Sequence, residues 1–358
     1  MAQVGDDSGS VLGDICRAIT PACVASTREA RALLSRRGAE LGSLERLAAR
    51  LAGARHSVRP EIERKHVIVC AADHGVATPV ETADGTSVTA EAARRITAGS
   101  AALNAVARTA GASVLVIDCG LAGRPGDDPG LLDLRIGAGT GDIRQGPAMT
   151  GPAALASIQT GIAFTFSLAD TGVDCIALGQ LGPGSRPVSG AILAALGAIE
   201  PEHLDPEDRD TVIRALAGNP SVAPGNRPDL AAAMQSATGS DLEQRVSAIL
   251  EVLAALGGHD LGVLTGIVLA AASLHIPVIL DEHATSTAAF LAAVLAPESA
   301  GYVIASHVGR SRVHRRALER LDLTAHFDLG LAHGEGTGAA LALPFIDSAA
   351  RLLGQTGP

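Results

Sequence analysis

A chain of 358 residues, 47% hydrophobic and 18% charged, is long enough to bury one large core or two unequal ones and too apolar to stay disordered. Its formal charge of -10, with no long basic block to offset it, excludes nucleic acid as the main partner. Aromatic residues make up 2%, with no Trp and one Tyr, so a flat ligand would be gripped by aliphatic side chains and backbone.

The chain opens on MAQVGDDSGS, which is polar and acidic and carries no signal-peptide pattern. No later apolar stretch is long and unbroken enough to read as transmembrane, so the chain reads as soluble and cytoplasmic. Residues 27–53, TREARALLSRRGAELGSLERLAARLAG, are charge-rich with helical spacing and no strand run. Residues 1–60 are therefore expected to form a small helical subdomain, completed by a C-terminal helix near 339–358. Strands are expected where short β-branched runs end in small or polar residues: HVIVCAADHG (66–75), SVLVIDCG (113–120), DCIALGQLG (174–182), IPVILDEH (276–283) and GYVIASHVG (301–309). Between them lie Ala/Leu-rich helical segments such as 91–111 and 264–275. Alternation of strand and helix across 61–338 predicts an α/β domain, a mostly parallel sheet with helices on both faces. Ligands of such sheets bind at the carboxyl ends of the strands. The Pro/Gly/Asn-rich start of 218–241 reads as a long loop. Five scattered cysteines (Cys16, Cys23, Cys70, Cys119, Cys175) with no CxxC pair fit buried thiols in a reducing compartment.

Four strand ends carry chemistry. Asp73, His74 and Gly75 close the first, as ligand-orienting groups or as hydrogen-bond anchors. The third opens into GQLGPGSRP (179–187), whose glycines, Ser185 and Arg186 precede an apolar helix. Such a turn presents free N–H groups that suit phosphate, although it matches neither the P-loop nor GxGxxG. The fourth ends in Asp281, Glu282 and His283. Consecutive residues of a strand face opposite ways, which argues against a shared metal. The fifth runs into the one basic cluster, SHVGRSRVHRR (306–316), a contact for an anion or a solvated helix face. Last comes DLGLAHGEGTGAALALP (328–344). Here Gly334, Gly336 and Gly338 permit close approach and positive φ around a single carboxylate, Glu335. At the entry of a packed helix the partial positive charge favours the ionised carboxylate, which could take a proton or simply cap the helix.

In this order, AADHGVA (71–77), VTAEAARRITAGSAALNAVARTAGA (88–112), GPAMT (146–150), GGHDLGVLTGIVLAAASLHIPVILDEHATSTAA (257–289), IASH (304–307) and DLGLAHGEGTGAALALP resemble the nicotinate-nucleotide:dimethylbenzimidazole phosphoribosyltransferases of cobalamin lower-ligand assembly. GSLERLAARLA (42–52) belongs to the same resemblance, which spans nearly the whole chain. It implies a Rossmann-like α/β domain with a smaller helical domain, a homodimer, and no metal or cofactor. The reaction it implies moves the phosphoribosyl group of nicotinate mononucleotide onto a benzimidazole nitrogen, giving α-ribazole phosphate and nicotinate. Glu335 takes the position of the family's general base. Gln180, Gly182, Gly184, Ser185, Arg186, Gly334, Gly336, Thr337 and Gly338 would hold the donor and its phosphate. Asp73, His74, Thr82 and Thr86 would border the acceptor, with Asp281 and His307 in support.

The sequence also departs from the family. The family's GEMGIGNTT is here GQLGPGSRP, so its glutamate becomes Gln180 and its Asn-Thr-Thr becomes Ser185, Arg186 and Pro187. Its arginine before LGEG corresponds to Ala332, its serine after SH to Gly309, and its acceptor-pocket serine and glutamine to Thr82 and Thr86. The lysine downstream of its GRGTG loop has no clear counterpart near APGNRP. Arg186, Arg310 or Arg312 would then have to supply the missing positive charge. A non-catalytic or altered-specificity paralogue that binds a nucleotide or azole stands as the alternative. A nicotinamide-dependent oxidoreductase does not fit, for want of a strand–GxGxxG–helix unit.

Overall fold

The computed structural model describes residues 8–36, 40–77, 87–123, 128–224, 239–331 and 334–354. Thr82, Thr86 and Ala332 lie outside the described residues, as does most of APGNRP. Six parallel strands form one sheet in the order β3-β2-β1-β4-β5-β6. They are β1 (Lys65–Ala72), β2 (Ala112–Gly120), β3 (Leu131–Asp133), β4 (Cys175–Leu181), β5 (Val278–Leu280) and β6 (Val303–Ala305). Five coincide with the expected runs. The sixth, β3, is a partly exposed three-residue edge strand at Val116↔Leu131 to Asp118↔Asp133, and unlike the equally short but buried β5 and β6 it leaves no apolar run.

Side-chain alternation splits the core in two. Ile68, Cys70, Ile117, Cys119, Ile176 and Leu178 face one side, and Val67, Val69, Val116, Cys175 and Ala177 the other. The first side is covered by α6 (Gly151–Ala169), α7 (Ser185–Ala195), α9 (Gly239–Leu256), α10 (His259–Ser273) and α11 (His283–Leu295). The α6–α10 pair is unusually close. A Cβ on Gly161 would lie 2.0 Å from the Val263 carbonyl oxygen, one on Gly266 2.0 Å from that of Ile158, and one on Gly262 1.8 Å from Ser157 Oγ. α6 is long and apolar enough to cross a membrane by length and composition alone, and this backbone-to-backbone seam packs one face of it on α10.

The second side carries α2 (Val24–Arg36), α3 (Ser43–Ala54), α4 (Val88–Thr97), α5 (Ala102–Thr109) and the C-terminal α13 (Thr337–Gly354). The expected helix over 91–111 is thus two, broken at Gly99, whose φ of 75° suits glycine. Leu47, Leu51, Leu343 and Ile346 share one apolar cluster with Val67 and Val69, so the helices expected as a small subdomain pack directly on the sheet. α1 (Ser8–Ala18) separates from them, burying Leu12 and Cys16 in the opposite core. Cys16, Cys70, Cys119 and Cys175 are buried and all five thiols are free.

Candidate active site

All six strands point their carboxyl ends to one rim, and those residues singled out from the sequence that are among the described residues collect there. Asp73 is fully engaged as a brace: Oδ1 accepts from the Thr89 hydroxyl, Oδ2 from the Ala122 N–H at 2.8 Å, and its carbonyl from the Thr140 N–H. His74 turns the other way. Its Nε2 lies 3.1 Å from Asp260 Oδ2, with both side chains fully buried. Burial opposes a charged imidazole, yet the facing carboxylate outweighs it and raises the His74 pKa. Asp260 shows the mirror effect, with burial outweighed by His74 and its pKa lowered. Asp260 sits in the first turn of α10 and was not singled out from the sequence, although GGHD before an apolar run carries the signal of an acidic helix start.

Gln180, near the end of β4, donates its amide to Asp260 Oδ2 at 2.9 Å and to the Gly182 carbonyl at 3.3 Å. With both amide hydrogens so directed, its oxygen is the group left to accept from a ligand. Beyond it, Gly182 (φ 143°) brings the chain against β1, where a Cβ would lie 1.8 Å from the Ala72 carbonyl oxygen. Gly184 (φ 88°) precedes α7, and Ser185 is the first residue of that helix. Ser185 Oγ is 3.0 Å from His283 Nε2. Arg186 does not present an unmatched charge. Its guanidinium meets Glu207 at 3.0 Å and Asp208 on α8 (Pro206–Gly218) at 3.2 Å.

The run Asp281-Glu282-His283 lies just past β5, where the chain turns into α11, so strand alternation does not set its directions: Glu282 and His283 turn one way and Asp281 the other. Glu282 lies between two imidazoles, 3.6 Å from His283 Nδ1 and 3.8 Å from His307 Nε2. Burial is outweighed by these neighbours, and its pKa falls to about 2. His307 is fully buried, with Nδ1 2.9 Å from Ser306 Oγ. His314, on α12 (Arg312–Arg320), adds a hydrogen bond to the His307 carbonyl. Burial pushes the His314 pKa to about 4, so it is a neutral imidazole. Asp281 faces the other way, towards the glycine turn. Its Oδ2 accepts from the Gly336 N–H at 2.9 Å and its Oδ1 from the Ala339 N–H at 3.0 Å.

Glu335 therefore sits on a turn fixed from both sides. Its N–H donates to the Gln180 carbonyl at 3.2 Å, extending the edge of β4, and its φ of 45° is left-handed. That conformation costs a non-glycine residue about 1 kcal/mol or more and persists only where the surroundings impose it. Gly179 makes the approach possible: a Cβ there would stand 2.5 Å from the Gly336 nitrogen and 2.6 Å from the Glu335 carbonyl carbon. Gly338 does the same for His307, whose ring would meet a Cβ at 2.2 Å. Thr337 is the first residue of α13, and its N–H donates to the Gly334 carbonyl. The result is a half-buried carboxylate at a helix entry, on a rim bearing a buried ion pair, a hydroxyl–imidazole pair and a free helix N-terminus at α7. Chemically, this can accept a proton from a bound heterocycle and bind an anion nearby.

A phosphoribosyltransferase family model matches residues 16–357. A nicotinate-nucleotide–dimethylbenzimidazole phosphoribosyltransferase of Roseiflexus sp. (strain RS-1) is 34% identical over 347 residues, covering 96% of this chain and 95% of that one. One from Thermus thermophilus is 35% identical over 324 residues, covering 87% of this chain and 90% of its own length. A crystal structure of the enzyme from Thermus thermophilus superposes with a TM-score of 0.80 at 32% identity, covering 93% of this chain and 97% of the other.

Proposed function

This chain belongs to the nicotinate-nucleotide–dimethylbenzimidazole phosphoribosyltransferase family, and from that premise we propose that it is itself a pentosyltransferase. It moves the phosphoribosyl group of nicotinate mononucleotide to a nitrogen of 5,6-dimethylbenzimidazole or a related azole. Nicotinate leaves readily because the pyridinium nitrogen of the donor already carries positive charge. Glu335 takes the azole N–H proton as the other azole nitrogen attacks the anomeric carbon, with inversion. The observation that carries this is the strained, doubly anchored turn that presents Glu335 at the strand ends. A surface capping carboxylate has no need of such restraint.

Around that base the remaining roles follow the geometry. The amide oxygen of Gln180 and the α7 entry at Gly184–Ser185 border the donor, with His283 beside Ser185 as the adjacent polar group. Asp73 and His74 shape the acceptor side from below. Arg186, matched by Glu207 and Asp208, is a brace between α7 and α8 rather than the donor's counter-charge. The protein works as a homodimer in the cytoplasm, with α2, α3 and α13, but not α1, forming the smaller helical part. The replaced residues on the β4–α7 turn favour an acceptor or donor preference shifted from that of the family. Incubation with nicotinate mononucleotide and a panel of benzimidazoles, read as nicotinate release, tests the activity. Glu335→Gln should lower kcat by orders of magnitude with circular dichroism unchanged. Near-normal turnover would remove Glu335 from its role, and no release with any azole would leave a binding protein.

A further inference from the structure

Asp281 has an environment that its own stability does not explain. It is 1% exposed, and both carboxylate oxygens are spent on backbone N–H groups of one segment, Gly336 through Oδ2 and Ala339 through Oδ1. Its own N–H is held by Thr285 Oγ1 at 2.9 Å, which fixes the strand end from which it reaches. Gly336 is the residue after Glu335, and Ala339 lies in the first turn of α13. A single side chain just past β5 thus holds the chain on the C-terminal side of Glu335, from the residue that follows it to the first turn of α13. The charged and titratable groups acting on it are His307 from the end of β6 and Glu282 from the same chain turn.

We propose that Asp281 is the positioning residue for Glu335: its ionised carboxylate clamps the N–H groups of Gly336 and Ala339 and so imposes the left-handed turn on which Glu335 sits. The inference rests on the reading of Glu335 as the base. Two orphan donors of a helix N-terminus converge on one anion, and such charge-assisted bonds are stronger than neutral ones. The partial positive charge of the α13 entry favours the same ionised state. Gly338 is required because His307 fills the space a Cβ would take, so the ring presses the turn against the carboxylate.

Burial pushes the Asp281 pKa up to about 7, against the pull of His307 and the two N–H groups. The clamp is therefore strongest above pH 7, and protonation on the acid side turns one acceptor oxygen into a hydroxyl. Asp281→Asn tests this directly, because its amide presents an N–H to one of the two donors. Hydrogen–deuterium exchange of the peptide covering 334–343, corrected for intrinsic rates, should show lost protection in Asp281→Asn at pH 8. In the parent protein, protection should fall between pH 8 and pH 6. Kinetics with nicotinate mononucleotide and dimethylbenzimidazole should show kcat lower by on the order of 100-fold, as expected for displacement of a reacting group. Donor KM should stay within about threefold, and the acid limb of kcat near pH 7 should vanish in the variant. Unchanged exchange in Asp281→Asn overturns the clamp. Changed exchange with kcat within twofold and the same acid limb overturns its role in positioning Glu335. Failure of the parent protein to turn over would count against the proposed activity, while exchange still decides the clamp.

Discussion

The two glycine-rich turns of the rim meet the same demand in different ways. The turn at 334–338 is shaped by backbone. Gly179, Gly336 and Gly338 let three segments touch, and one buried carboxylate, Asp281, collects the N–H groups that result. The turn at 182–186 shares the backbone demand at Gly182, which lies against the Ala72 carbonyl, but its polar side chains pair sideways. Gln180 binds Asp260, Ser185 binds His283, and Arg186 binds Glu207 and Asp208. The first arrangement leaves little room for a substitution. The second can change its polar residues, though not Gly182, and keep its shape, provided each polar group finds a new partner. By the resemblance read from the sequence, GQLGPGSRP departs from the family pattern, whereas GEGTG keeps it.

The sharpest way to break this contrast is at the buried pair beneath the second turn. In Asp260→Asn the His74 imidazole loses its counter-charge, and removing one partner of a buried pair costs about 3–5 kcal/mol. The sign with pH is definite. His74 has a raised pKa, so its contribution is fully present below the ordinary histidine value and lost as pH rises through the raised one. Asp260 has a lowered pKa, so its share is present above the ordinary aspartate value and lost as pH falls through the lowered one. Urea unfolding should therefore show the largest gap between parent and variant near pH 5–6, below the ordinary histidine value and above the ordinary aspartate one, shrinking as the pH rises through the raised His74 value. A gap that does not depend on pH would mean that packing alone holds this corner.

The next test falls on the first turn. Gly179→Ala inserts a methyl group where only backbone atoms lie, 2.5–2.7 Å from Gly336 and Glu335. Backbone cannot rotate away as a side chain can, so the turn must shift. A displacement near 1 Å should lower kcat by on the order of 100-fold, with the rest of the fold kept, as circular dichroism and the melting temperature would report. Turnover within a few-fold of the parent would show that the turn adapts and that the two turns differ less than their geometry suggests.

How much of this could be read from the sequence follows the same division. The long β-branched runs gave five strands of the sheet, because parallel strands buried on both faces need no alternation to be recognised. The three-residue β3 and the break of 91–111 at Gly99 were illegible, since each is decided by packing rather than by a period. At the site, Glu335 stood out because a lone carboxylate among glycines is unusual. Asp281 was visible only as one of three consecutive polar residues, and nothing local says which of them faces the turn. Asp260 was missed: its partners, His74 and Gln180, lie 186 and 80 residues away. Arg186 illustrates the converse. Position beside a glycine turn suggested a counter-charge for phosphate, and only the placement of α8 shows two carboxylates already matched to it.

That last point yields the smallest effect and a clean discriminator. Asp208 is 4% exposed, and burial pushes its pKa up while Arg186 pulls it back. Arg186→Ala leaves that carboxyl buried without its cation. Since Arg186 itself is partly exposed, with 38% of its side chain accessible, solvent screening keeps the loss to about 1 kcal/mol. Acid raises the protonated fraction of Asp208 and narrows the difference, so thermal unfolding of parent and variant should converge as the pH is lowered through the raised Asp208 value. Donor KM should stay within about twofold, because a guanidinium matched by Glu207 and Asp208 has no charge left for a phosphate. A rise of tenfold or more in donor KM at unchanged stability would reverse the assignment, placing the donor's counter-charge on the second turn and making its sideways pairing a resting state that substrate displaces.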